Sequence, residues 1–271
     1  MRGEAERNCF DLVKQHLKQE DFFGTTVEDD RLIRKIIDTA GENPKSSEFP
    51  DFIFDEGFVE HFQVTSSKVT RKGSTRRTED AEINRDYKNR VQNVIEEVPK
   101  DAITIRTVET PQQWHDANSY EYFRDSFEMS FEHHLDSLGK YKGEKKHSVF
   151  MIEYADAALC MSKRLPKDLL LEVSYGDLLS REDPAYRLSR DIELLQYIYN
   201  QREQVEFVIF VDNNCFHGLK IDVIKSKNAL EVAKLLHEGY DFTCAMVGSG
   251  RFGINLTIPD SIGEKEDEQT R

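Results

Sequence analysis

Pro50 to Thr65 reads PDFIFDEGFVEHFQVT. Asp55-Glu56-Gly57 supplies turn chemistry between the β-favouring runs Phe52-Ile53-Phe54 and Phe58-Val59, so the stretch predicts a β-hairpin. Alternation along the second strand places Phe58, Glu60, Phe62 and Val64 on one face, and Val59, His61, Gln63 and Thr65 on the other. Asp51 stands at the mouth of the first strand, across from Glu60 to Gln63. Asp51, Glu60, His61 and Gln63 are therefore expected to share one pocket.

On the C-terminal side of the hairpin, Lys68, Arg71, Lys72, Arg76 and Arg77 form a wholly basic run with Gly73-Ser74-Thr75 as a flexible centre. Such a run serves either as a solvated loop or as a loop that contacts phosphates. On the N-terminal side, residues 4–19 carry the stripe Phe10, Val13 and Leu17 of an amphipathic helix. A second helix is expected at 30–38, with Leu32, Ile33, Ile36 and Ile37 in phase. Downstream, 79–98 and 112–142 read as helices and 102–108 as a half-buried strand, a large helical insertion over 79–142. In 112–142 an apolar stripe (Phe123, Phe127, Phe131, Leu135) runs beside an acidic one (Glu121, Asp125, Glu128, Glu132) that reads as a solvent face. His134 falls on the apolar side as a packed histidine.

The basic connector 139–146 is the expected boundary between an N-terminal part, 1–142, and a C-terminal α/β part, 147–259, the two expected to form one compact unit. The C-terminal part predicts strands at 148–154, 169–174, 205–211, 219–224, 242–247 and 253–258. Its helices fall at 183–203, opened by Asp183-Pro184, and at 226–238. The polar tail 260–271 is expected to be disordered. The whole predicts an α/β or α+β fold with a mixed sheet and flanking helices.

Composition narrows the class. The 271 residues carry a net charge of −14, which opposes bulk attraction to DNA and leaves recognition to local basic clusters. No apolar run approaches the roughly 20 residues that span a bilayer, and the N-terminus has no hydrophobic leader, so a cytoplasmic chain without a membrane partner is expected. Cys9, Cys160, Cys215 and Cys244 form no CxxC pair and are expected as small buried residues.

Metal-dependent phosphodiester cleavage needs carboxylates that hold divalent cations and a polar group that orients the attacking water. Asp51, Glu60, His61 and Gln63 meet that need in composition. With these residues the chain resembles the restriction-endonuclease-like, PD-(D/E)XK superfamily, in which Pro-Asp opens one strand and an acid-x-Lys tripeptide lies in the next. Pro50-Asp51 matches the first element, while the second reads Glu60-His61-Phe62 or His61-Phe62-Gln63, without the lysine. The resemblance implies a nuclease-like core and a Mg²⁺-dependent nuclease of restriction or defence type. Asp51 and Glu60 would hold the metal, His61 or Gln63 would position water, and Lys68, Arg71, Lys72 and Arg76 would contact the backbone of DNA rather than RNA. Glu153, Asp156 and Glu172 repeat the acid–strand–acid pattern downstream as secondary candidates. The alternative is a non-catalytic acidic binding or inhibitor protein that docks a basic partner, alone or as an oligomer.

Overall fold

The computed structural model describes residues 3–45, 48–70, 73–97, 104–111, 113–115, 118–154, 156, 158–163, 185–214, 218–236, 239–244 and 247–257. In chain order the first half holds α1 (Glu4–His16), β1 (Phe22–Phe23), α2 (Val27–Thr39), β2 (Gly41–Glu42), β3 (Phe52–Phe54), β4 (Gly57–Val64), β5 (Val69–Thr70) and β6 (Gly73–Ser74). Then follow α3 (Thr75–Glu97), β7 (Thr104–Glu109), β8 (Gln113–His115), α4 (Tyr120–Lys140), β9 (His147–Tyr154) and β10 (Leu159–Lys163). The remainder is α5 (Ile192–Asn200), β11 (Phe207–Asn214), β12 (Gly218–Lys225), α6 (Ala229–Lys234), β13 (Tyr240–Cys244), β14 (Val247–Ser249) and β15 (Phe252–Thr257).

The fold is mixed α/β, built on a seven-stranded sheet of order β1-β12-β11-β9-β4-β3-β2. Its centre is parallel, β4 with β9 and β9 with β11, while β3 and β12 flank it antiparallel. Central parallel strands buried on both faces read as near-continuous apolar runs, and all of β9 from Ser148 to Tyr154 is buried. One face of the sheet packs Val59, Val149, Met151 and Phe207 against Cys9, Phe10 and Val13 of α1 and Ile33, Ile36 and Ile37 of α2. The other packs Phe58, Phe62, Phe150 and Phe210 against α4, α5 and α6. Helices on both sides of a mainly parallel sheet make a three-layer arrangement.

Local chemistry explains the element ends. Thr26 caps α2 through a reciprocal box: its hydroxyl accepts from Asp29 N at 3.2 Å, and the Asp29 carboxylate accepts from Thr26 N at 2.9 Å. Gly57, read as turn chemistry, is needed because a Cβ there would lie 1.9 Å from the His147 carbonyl oxygen of β9. The 183–203 helix begins later than expected: the Asp183-Pro184 signal lies outside the described residues, and Asp191 caps α5 by accepting from Leu194 N at 3.1 Å. Asp191 is fully buried, receives both the Tyr120 and Tyr186 hydroxyls, and is pushed up to about 6 by burial. The 226–238 helix is a 3₁₀ turn followed by the short α6.

The described chain divides into two compact units, residues 1–67 with 118–245, and residues 68–117 with 246–271. This differs from the boundary expected at 139–146, a connector that links α4 to β9 inside the larger unit. The expected insertion, 79–142, is correspondingly shorter at its C-terminal end, because α4 buries Phe123, Phe127 and Phe131 completely and so belongs to the core. In the smaller unit β7 pairs with β15 and β8 with β14, all antiparallel. Of the strands expected at 242–247 and 253–258, the second is β15, and the first overlaps β13, which pairs with β10 in the larger unit. The expected flexible centre Gly73-Ser74-Thr75 is instead β6, paired with β5, and the start of α3. The strand expected at 169–174 and the tail 260–271 lie outside the described residues. Among those described, no helix is long and apolar enough to cross a membrane.

Candidate functional site

The hairpin places its polar residues by a mismatch in length. β3 stops pairing at Phe52↔Val59, so the edge of β4 from Glu60 onward runs past it. Asp51 fills the next step with its side chain: Oδ2 accepts from His61 N at 2.9 Å, while Asp51 N donates to Glu60 Oε2 at 3.0 Å. Asn43 steadies this segment, donating from its side chain to the Pro50 carbonyl at 2.8 Å and from its backbone N to the Asp51 carbonyl at 2.8 Å.

Glu60 is 5% exposed and faces α4, where its Oε1 meets Nδ1 of His134 at 2.6 Å. Burial pushes Glu60 up to about 8 and His134 down to about 4, so both favour their neutral forms and one proton bridges the contact. Burial and then the charge of Glu60 push Asp51 up to about 6, with Glu6 of α1 adding repulsion. The His134 ring lies flat on Phe62, centroids 4.5 Å apart and planes 12° apart.

The opposite face of β4 carries a different set. His61 and Gln63 point toward the α1 side, where the parallel register sets Gln63 beside Glu153 of β9. Glu153 Oε2 accepts from Gln63 Nε2 at 2.7 Å and lies 3.2 Å from His61 Nε2. Cys9 of α1 completes the group: the Cys9, His61 and Glu153 donor atoms lie within 4.8 Å of one another, and all three residues are buried. Burial holds the Cys9 thiol well above its ordinary range.

The single pocket expected for Asp51, Glu60, His61 and Gln63 therefore divides in two. Asp51 and Glu60 come together, but Asp51 reaches His61 only through its backbone, since alternation sends the imidazole through to the other face. His61 and Gln63 join Glu153, which the sequence held as a separate candidate. Asp156 does a different job: its Oδ2 accepts from Ser66 N at 2.6 Å and from the Thr65 hydroxyl, tying the end of β4 to the end of β9. Lys68 is exposed and belongs to the smaller unit, and Arg76 lies in α3; Arg71, Lys72 and Glu172 fall outside the described residues. Two participants went unread. Cys9 sits one residue before Phe10 and four before Val13, within the stripe of α1, and gave no signal beyond a small buried residue. His134 was expected as a packed histidine, and it does pack, but against Phe62 with a carboxyl partner besides.

Comparison of the chain with protein-family models, with curated proteins and with solved structures found no match.

Proposed function

We propose that this chain acts on nucleic acid as a metal-dependent nuclease, with Asp51 and Glu60 holding a divalent cation such as Mg²⁺. One observation carries the reading. Two carboxylates are brought together by the backbone at the free edge of a central strand, both raised above their ordinary range, and among the described residues neither forms an ion pair with lysine or arginine. An all-oxygen pair of this kind suits a hard cation. A bound cation supplies a water of lowered pKa and a counter-charge for the phosphate. The protein's own part is to hold the two carboxylates side by side, with His134 orienting Glu60 from the α4 side. Lys68, Arg71, Lys72 and Arg76 are assigned to the nucleic-acid backbone, with DNA preferred.

The second reading is a non-catalytic acidic protein that docks a basic partner. The net charge of −14 favours it, as does Phe62 standing where the acid-x-Lys pattern has lysine. Incubation of the purified chain with single- and double-stranded DNA and RNA in Mg²⁺ or Mn²⁺ separates the two. Cleavage that Asp51→Ala abolishes at a temperature where the variant is still folded is the expected result, the variant melting somewhat earlier because His61 N loses its acceptor. No cleavage by the unsubstituted chain in either metal selects the binding protein.

A further inference from the structure

We infer that Cys9, His61 and Glu153 form a second metal site, distinct from the Asp51–Glu60 pair and selective for a zinc-type ion. Three donors contributed by α1, β4 and β9, from positions far apart in the chain, converge within 4.8 Å. Their chemistry is one sulfur, one imidazole nitrogen and one carboxylate oxygen. That set fits Zn²⁺ or Co²⁺ and is foreign to Mg²⁺, which takes oxygen donors almost alone.

One pair of donors already has the spacing the chemistry needs. Tetrahedral zinc with bonds of about 2.0–2.3 Å sets its donors roughly 3.3–3.8 Å apart. His61 Nε2 and Glu153 Oε2 already stand at 3.2 Å. Gln63 supplies what a ligating carboxylate ordinarily has behind it, an N–H donor at 2.7 Å that fixes its orientation. Three protein ligands leave a fourth position for water or another small ligand.

The site's consequence is mechanical. Cys9 is the only one of the three ligands outside the sheet, so an ion bound here fastens α1 onto β4 and β9, and its binding free energy adds to the stability of the fold. Gln63 is a positioning residue in this scheme.

The wild-type chain itself provides the test. After treatment with a chelator it is titrated with Zn²⁺, Mg²⁺ and Co²⁺ while the melting temperature and the absorption spectrum are followed. The expected result is a rise in melting temperature with one equivalent of Zn²⁺ but not of Mg²⁺, and a thiolate-to-cobalt charge-transfer band with Co²⁺. Cys9→Ala and Cys9→Ser should both lose that band, and Gln63→Ala should weaken Zn²⁺ binding about 10–100-fold while keeping it. Absence of any Zn²⁺-dependent shift and of the cobalt band in the wild type overturns the site, as does a band that persists in a folded Cys9 variant. None of these readouts depends on cleavage, so failure of the nuclease reading leaves the result intact.

Discussion

The two faces of β4 carry neighbouring residues into opposite circumstances. Toward α4, Glu60 sits under a wall of aromatic rings with His134 as its side-chain partner, and burial drives both members to neutrality. Toward α1, His61 reaches a carboxylate that is also gripped by an amide, and the group closes around a thiol. A pleated strand can thus present two separate polar chemistries one residue apart, each with its own environment. The first face is held by packing, the second by polar partners, and substitutions that discriminate between the two supports can break this contrast.

The largest effect belongs to the packed face. Phe131 is fully buried between Phe62, Phe127, Phe150 and Tyr197, and Phe131→Ala should cost about 3–5 kcal/mol in denaturant unfolding, at every pH and with or without metal. A loss below 1 kcal/mol in that assay would show that α4 is not part of the core. On the polar face, Glu153→Gln keeps the volume but spoils the acceptor for His61 and Gln63, and should cost about 1–3 kcal/mol. Unlike the first, this variant should no longer be stabilised by Zn²⁺, a difference that thermal melts with and without the ion would expose.

The smallest effect is read from pH. Glu60, raised to about 8 from 4.5, favours folding when protonated, so its contribution is lost as pH climbs through that interval. His134, lowered to about 4 from 6.5, acts in the opposite sense, and its contribution is lost as pH falls from 6.5 toward 4. Between 4.5 and 6.5 the two cancel, which leaves a net loss from about 6.5 to 8 worth about 1–2 kcal/mol. In Glu60→Gln this alkaline loss should vanish. Melting curves across that range that superimpose for the two proteins would remove Glu60 from the account.

Much of the frame is legible in the sequence because local signals agree with the final packing. The hairpin follows from turn residues and alternation, α4 from a phenylalanine stripe, and β9 and β11 from apolar runs. What is not legible is pairing across the chain. Nothing near Gln63 announces Glu153, since only the parallel register of β4 and β9 sets them side by side. Nor does α1 advertise Cys9 as more than a small apolar residue. The start of α5 was misplaced because Asp-Pro at 183–184 is a stronger local signal than Asp191, whose cap is reinforced by two tyrosine hydroxyls from elsewhere in the fold. The division into units was missed for a related reason. Strands β14 and β15 find their partners over a hundred residues upstream, and no composition change marks them.

The chain leaves the larger unit after Ser67 and comes back at Asn118, and these two residues bridge each other, with Ser119 N donating to the Ser66 carbonyl at 2.9 Å. A segment whose two ends are already joined behaves like a bead on a closed loop: each doubling of its length adds only about 0.6 kcal/mol of closure entropy. Evolution can therefore lengthen, shorten or exchange what lies between Ser67 and Asn118 without rerouting the sheet, provided β14 and β15, which depend on it for partners, change along with it.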